Sequence, residues 1–240
     1  MAPGGLTGRG DSFAGYRARL VETLRARGIR DLAVLKAFAE TPRHLFVPEA
    51  LRSRAYDDVA LPIGDGQTIS QPFTHARQLE ALHLQGGERV LEVGTGSGYQ
   101  TALLGALVEQ VFSVERVAAL AVRARQALRE AGVTNVSVLL GDGTLGWSDY
   151  APYDAILVAA GGPEIPPPLV AQLAPAGRLL IPLGRSAGKG SEGGQTLTLV
   201  ERRGGEGGGG GGGGPGGELT RTPLGDVRFV PLLGEHGFDA

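Results

Sequence analysis

From Glu88 onward the chain alternates between short apolar runs and helical patterns, and this alternation restricts its fold more than any other feature. Candidate strands are Arg89–Val93, Gln110–Val114, Val136–Leu140, Ala155–Ala159 and Arg178–Pro182. The helical patterns between them cover about Gly98–Val108, Val117–Ala131 and Pro166–Leu173. Short apolar strands separated by helices bury both faces, which indicates a parallel sheet covered on either side. The crossovers should be right-handed. Such sheets bind ligands beyond the carboxyl ends of their strands, so the residues that follow each strand deserve first scrutiny.

After the first strand the chain reads Val90-Leu91-Glu92-Val93-Gly94-Thr95-Gly96-Ser97-Gly98-Tyr99. Glycines there permit a tight turn into a helix and let a ligand approach the backbone. A dinucleotide fingerprint needs glycines at the first, third and sixth positions. Counted from Gly94, the sixth position is Tyr99, so that pattern fails. The second strand ends at Glu115, 21 residues after Gly94. A carboxylate there can accept hydrogen bonds from ribose hydroxyls, or it is a solvated charge paired with Arg116. The third strand is followed by Asp142-Gly143, which is either a ligand contact or an ordinary Asp–Gly turn. Three such signals at three consecutive strand ends favour one shared small-molecule site.

The bulk properties narrow the function. At 240 residues and 42% hydrophobic the chain can bury one large core. Its formal net charge of -2, with both signs interspersed, argues against a nucleic-acid binder. No apolar run reaches the ~18 residues of a membrane helix. There is no cysteine, which excludes disulfides, thiolate metal sites and a cysteine nucleophile, and fits a reducing cytoplasm. Met1–Gly10 lacks the apolar core of a secretory signal. The working expectation is a cytoplasmic monomer that holds no metal and acts on neither nucleic acid nor membrane.

The flanks are organised differently. Phe13, Tyr16, Leu20, Val21 and Leu24 fall at helical spacing, and Gly28 can end that helix. Asp31 is a candidate N-cap for a second helix through Glu40, stopped by Pro42, and Pro48 can open a short third helix as its first residue. Asp57–Pro72 is rich in Gly, Pro and polar residues with little periodicity, and reads as a functional loop. A helix carrying Phe73, Leu79, Leu82 and Leu84 follows. At the other end Gln195–Arg202 and Asp226–Leu232 read as strands joined through Gly207–Gly214, a tract that suits a flexible hairpin tip. The chain thus divides into one domain over 12–235: a helical and loop region 12–85, an α/β core 86–182, and a hairpin 195–232 with a disordered tip at 204–217.

Ahead of the first strand stands Gly66-Gln67-Thr68-Ile69-Ser70-Gln71-Pro72. This segment resembles the signature of the protein-L-isoaspartate O-methyltransferases. The resemblance continues through Val90–Tyr99, Ser113–Arg116, Gly141–Gly143, Tyr153–Ile156 and Arg228–Leu232, and covers roughly residues 13 to 232. The glycine tract and the tails depart from it. It implies a Rossmann-like S-adenosylmethionine methyltransferase sheet of seven strands, mostly parallel, with an antiparallel last strand and additional N-terminal helices. It implies S-adenosylmethionine as methyl donor and isoaspartyl-containing proteins and peptides as substrates. Ser70 matches the active-site serine, and Thr68, Ile69 and His75 match positions lining the cofactor and substrate pocket. Glu92, Gly94, Gly98, Glu115, Asp142 and Gly143 match cofactor positions, with Gly96 and Arg116 beside them in the same motifs. Without the resemblance Ser70 reads as a loop serine and His75 as a surface histidine. The competing reading is a class I methyltransferase acting on a small molecule or a nucleic acid, which would keep the glycine loop and Glu115 but not Thr68-Ile69-Ser70.

Overall fold

The computed structural model describes residues 12–184, 194–203 and 218–239. The chain opens with α1 (Ala14–Ala26) and α2 (Leu32–Glu40). Asp31 caps α2 as expected, its carboxylate accepting from the N–H groups of Ala33 and Val34. Beyond Pro42 the chain forms two 3-10 turns, Arg43–Phe46 and Glu49–Arg54, and Pro48 is the cap of the second rather than its first residue.

The segment Asp57–Pro72, expected to be a loop, contains an antiparallel hairpin: β1 (Leu61–Gly64) and β2 (Gln67–Ile69). Gly64, Asp65 and Gly66 all adopt positive φ to turn it. Leu61, Ile63 and Ile69 are buried beneath it. Strands of four and three residues are too short for a period of two to show in the sequence. The chain then enters α3 (Pro72–Ala81), with Pro72 in the first turn, where its missing N–H costs nothing.

The strand and helix alternation follows as β3 (Arg89–Val93), α4 (Tyr99–Gly105), β4 (Gln110–Glu115), α5 (Ala118–Glu130), β5 (Val136–Leu140), β6 (Tyr153–Val158), α6 (Pro167–Ala171) and β7 (Leu173–Gly184). Two further strands, β8 (Gln195–Arg202) and β9 (Leu219–Val227), complete a seven-stranded sheet ordered β5-β4-β3-β6-β7-β8-β9. The first five are parallel to their neighbours. The direction reverses at β8, and the last strand, β9, is antiparallel to it.

The last strand lies earlier than the expected Asp226–Leu232. Pairing with β8 runs from Arg202↔Leu219 to Gln195↔Val227, so the ladder is used up by Val227. Residues 228–232 then leave the sheet, held by Gly161 N–H to Val230 O and Leu232 N–H to Gly161 O, each 2.8 Å. The tract Gly207–Gly214 and the expected tip at 204–217 lie outside the described residues.

The sheet is buried on both faces. Val90, Val111, Ala155, Leu157 and Leu180 pack in one cluster with Leu20, Leu24, Phe38 and Leu79 of the N-terminal helices. Leu91, Val93, Phe112, Ile156 and Val158 pack in a second cluster on the opposite face. The N-terminal helices therefore share a core with the sheet, and this brings the Thr68–Ser70 segment to its carboxyl edge. Among the described residues no helix is long and apolar enough to cross a membrane.

Candidate active site

The order of strands reverses between β3 and β6, and a cleft opens beyond their carboxyl ends, where such sheets bind ligands. Its empty volume, open mouth included, is about 920 Å³. Thr68, Ile69, Ser70 and His75 line its wall. Gly94, Gly96, Glu115, Arg116 and Gly143 line it as well. Ser70 and Gly94 are 24 residues apart in the chain, and only the tertiary fold makes them neighbours.

The glycine loop owes its shape to its sequence. Gly98 has φ +87°, and an added Cβ there would come within 3.3 Å of Ala124 on α5, so a side chain would force the loop off that helix. At Gly143 a Cβ would fall 2.4 Å from Val93 Cγ1, which leaves no room for one beside β3.

Glu115 is 5% exposed at the end of β4. Oε2 accepts from the Gly96 N–H and Oε1 from the Val117 N–H, both at 2.8 Å. It therefore ties the glycine loop to the start of α5. A carboxylate offers about four acceptor sites, so two remain for a ligand's hydroxyls. Ser70 is half-buried, and its hydroxyl has no partner among the described residues. Both ring nitrogens of His75 are buried and unpartnered beside the cleft. Burial, and after it the charge of Arg43, pushes this imidazole down to about 3, against a smaller pull from Gln100 and the Ser70 backbone. His75 is thus neutral at pH 7, a buried group edge-on to Tyr99 at 5.7 Å, not a surface histidine.

Three expected site residues do not line the cleft. Glu92 is fully buried beneath the loop, where its Oε2 accepts from Thr101 Oγ1 at 2.5 Å and Ser113 Oγ at 2.6 Å. Ser113 in turn pairs with Thr95 at 2.5 Å. Gly98 packs on α5. The Asp142 carboxylate accepts from the Thr144 N–H and hydroxyl and from the Glu235 N–H. Partial burial disfavours its charge, but those bonds and His236 outweigh the penalty and hold the carboxyl below its usual range.

The cleft is also lined by Gln100, Leu120 and Val230–Leu233, which sequence reasoning did not assign to the site. Gln100 follows the glycine loop by one position, a signal that was legible. Residues 230–232 are expected as strand, and only their departure from the sheet brings them to the cleft. Among the described residues there is no group of three His, Cys, Asp or Glu placed to hold a metal.

The chain is similar to known proteins along most of its length. The family model for protein-L-isoaspartate(D-aspartate) O-methyltransferase matches residues 16–236. The protein-L-isoaspartate O-methyltransferase of Syntrophus aciditrophicus (strain SB) is 49% identical, covering 95% of this chain and 98% of its own. Protein-L-isoaspartate O-methyltransferase 1 of Syntrophobacter fumaroxidans is 51% identical, covering 95% and 99%. A solved protein-L-isoaspartate O-methyltransferase superposes with TM-score 0.76 at 29% identity, over 92% of this chain and 67% of its own. A Plasmodium falciparum chain crystallised with S-adenosyl-L-homocysteine superposes with TM-score 0.72 at 26% identity, over 91% and 98%.

Proposed function

The chain belongs to the protein-L-isoaspartate(D-aspartate) O-methyltransferase family, and on that premise we propose which of its residues carry the reaction. The activity is S-adenosylmethionine-dependent methyl transfer to the α-carboxylate of L-isoaspartyl residues in damaged proteins. The observation that carries the residue assignment is the shared cleft: Ser70 lines the same cavity as Gly94, Gly96 and Glu115.

The cleft fits the donor. Glu115 keeps acceptor capacity for ribose hydroxyls, and Val93, Val114, Val117 and Leu120 supply apolar lining for an adenine. Gly94, Gly96 and Gly143 leave the backbone approachable, and Thr68, Ile69 and Arg116 close the cavity. When bound, S-adenosylmethionine would supply a methyl group on a sulfonium, which passes to a carboxylate oxygen as S-adenosylhomocysteine leaves as the neutral thioether. Glu92 and Asp142 act from behind: Glu92 braces the loop through Ser113 and Thr95, and Asp142 fastens the 234–236 segment that follows the cleft-lining residues.

The acceptor needs no base, because a carboxylate is ionised well below pH 7. His75, neutral and buried, takes no proton from it. The enzyme's task is positioning, which lowers a barrier by several kcal/mol. Opposite charges cancel as the methyl moves, so a dry site favours the transition state over the reactants. Ser70 orients the carboxylate with a neutral hydroxyl and forms no covalent intermediate. The methyl ester is a better leaving group than the free acid, so the succinimide reforms and reopens partly to normal aspartate.

The test is methyl transfer from labelled S-adenosylmethionine to an isoaspartyl peptide beside its normal-aspartyl twin. Methylation of the first alone is expected. Equal labelling of both, or of neither, overturns the assignment.

A further inference from the structure

A second buried ionisable group lies against the wall of the cleft. Arg43, in the 3-10 turn after Pro42, is 0% exposed. Its Nη2 donates to the backbone oxygens of Ser70 at 3.2 Å and Val59 at 3.4 Å. Nε and Nη1 have no partner, and the guanidinium sits 4.9 Å from the centre of the Tyr99 ring. Arg43 forms no ion pair among the described residues. The acid nearest in effect, Asp58, is already paired with Arg27 and also accepts from Gln71 Nε2 and the Phe73 N–H. Arg27, Arg43 and Asp58 together leave one positive charge behind the Thr68–Ser70 wall.

An isolated buried cation is costly. Burial lowers the guanidinium only to about 10, so it stays charged at neutral pH. Its field reaches the cleft, because it helps to keep the lining residue His75 neutral. Between Arg43 and the cleft stands the Ser70 peptide, whose carbonyl takes the guanidinium while its hydroxyl remains free for the acceptor.

We propose that Arg43 is a positioning residue that recruits the substrate carboxylate through its field, across the Ser70 peptide and without contact. This rests on the methyl-transfer function stated above. A guanidinium in contact with the carboxylate would stabilise the ground state more than the transition state, in which that charge disappears. Set back behind Ser70, the same cation attracts the carboxylate weakly and repels the donor's sulfonium. In the transition state both ligand charges fade together and the two effects offset. Arg43 therefore acts mainly on binding, with opposite sign for the two substrates.

That sign difference gives the test. S-adenosylmethionine and S-adenosylhomocysteine differ in the methyl and the sulfonium charge, so the ratio of their Kd values reports the potential at the sulfur. In Arg43→Met, calorimetry should show this ratio shifted about four- to fifteenfold in favour of S-adenosylmethionine, the effect of a unit charge at ~10 Å and an effective dielectric of about 20–40. The KM for an isoaspartyl peptide should rise by a similar factor, with a smaller change in kcat. Both affinities falling together at constant ratio would show a packing role only and overturn the proposal. A measurement on the wild type needs no folded variant: a peptide with the isoaspartyl carboxylate replaced by its amide should bind several-fold more weakly than the carboxylate form. Equal binding overturns the proposal as well. Failure of the wild type to bind S-adenosylmethionine, or to methylate the isoaspartyl peptide, would instead defeat the underlying assignment.

Discussion

Replacing Glu92 with Gln should change how stability depends on pH. Glu92 is fully buried on β3, with Oε2 held by two hydroxyls and Oε1 without a partner. Burial pushes its carboxyl up from 4.5 to about 7; the Ser113 and Thr101 hydroxyls resist this and the Glu115 charge adds to it. Below pH 4.5 the group is protonated whether the chain is folded or not, and no charge has to be buried. Between 4.5 and about 7 the unfolded chain ionises while the folded one keeps its proton, so stability falls as pH rises. Above about 7 the loss is complete. The gap between 4.5 and about 7, at ~1.4 kcal/mol per pH unit, amounts to about 3 kcal/mol. Gln carries no charge at any pH, so Glu92→Gln should gain about 3 kcal/mol on the wild type between pH 4.5 and pH 8. Urea unfolding followed by circular dichroism across that range measures the difference. Parallel stability curves for the two proteins would refute the argument. Cofactor affinity should change little, because Glu92 does not line the cleft.

Glu115→Ala should weaken S-adenosylmethionine binding by about 1.5–3 kcal/mol through lost bonds to a charged group, and should also destabilise the fold by about 1–3 kcal/mol for each of the Gly96 and Val117 N–H groups left without its acceptor. Calorimetry and urea unfolding read the two effects, and unchanged affinity would count against Glu115 as a cofactor residue. Ser70→Ala should slow single-turnover methyl transfer to an isoaspartyl peptide about ten- to more than a hundredfold at saturating cofactor, the cost of one orienting bond to a charged group, with little change in cofactor Kd. Equal rates would remove Ser70 from the mechanism, and a trapped acyl- or methyl-serine would replace the mechanism itself.

Local sequence was enough for the sheet and its binding edge. Apolar periodicity placed β3, β5 and β8 at their observed bounds, and the three signals at the ends of β3, β4 and β5 pointed to one cleft. These features depend on residues close together in the chain: glycines that set backbone angles, and side chains that must alternate or recur to be buried. The hairpin β1–β2 was not legible, because strands of four and three residues show no period and their partner is each other. The bounds of β9 were not legible either, since Val227 ends the strand only because Gln195, opposite it, begins β8. The orientation of individual site residues belongs to the tertiary structure alone. Asp142 turns toward the Glu235 N–H, 93 residues away, and Glu92 turns down to Ser113. Arg43 is an unremarkable arginine after a proline until the N-terminal helices pack on the sheet and close it behind Ser70. A side chain's charge and hydrogen-bonding capacity are written in the sequence, but which groups surround it in a low-dielectric interior depends on long-range packing. That packing decides whether the charge serves as a surface ion, a brace or a field in the active site.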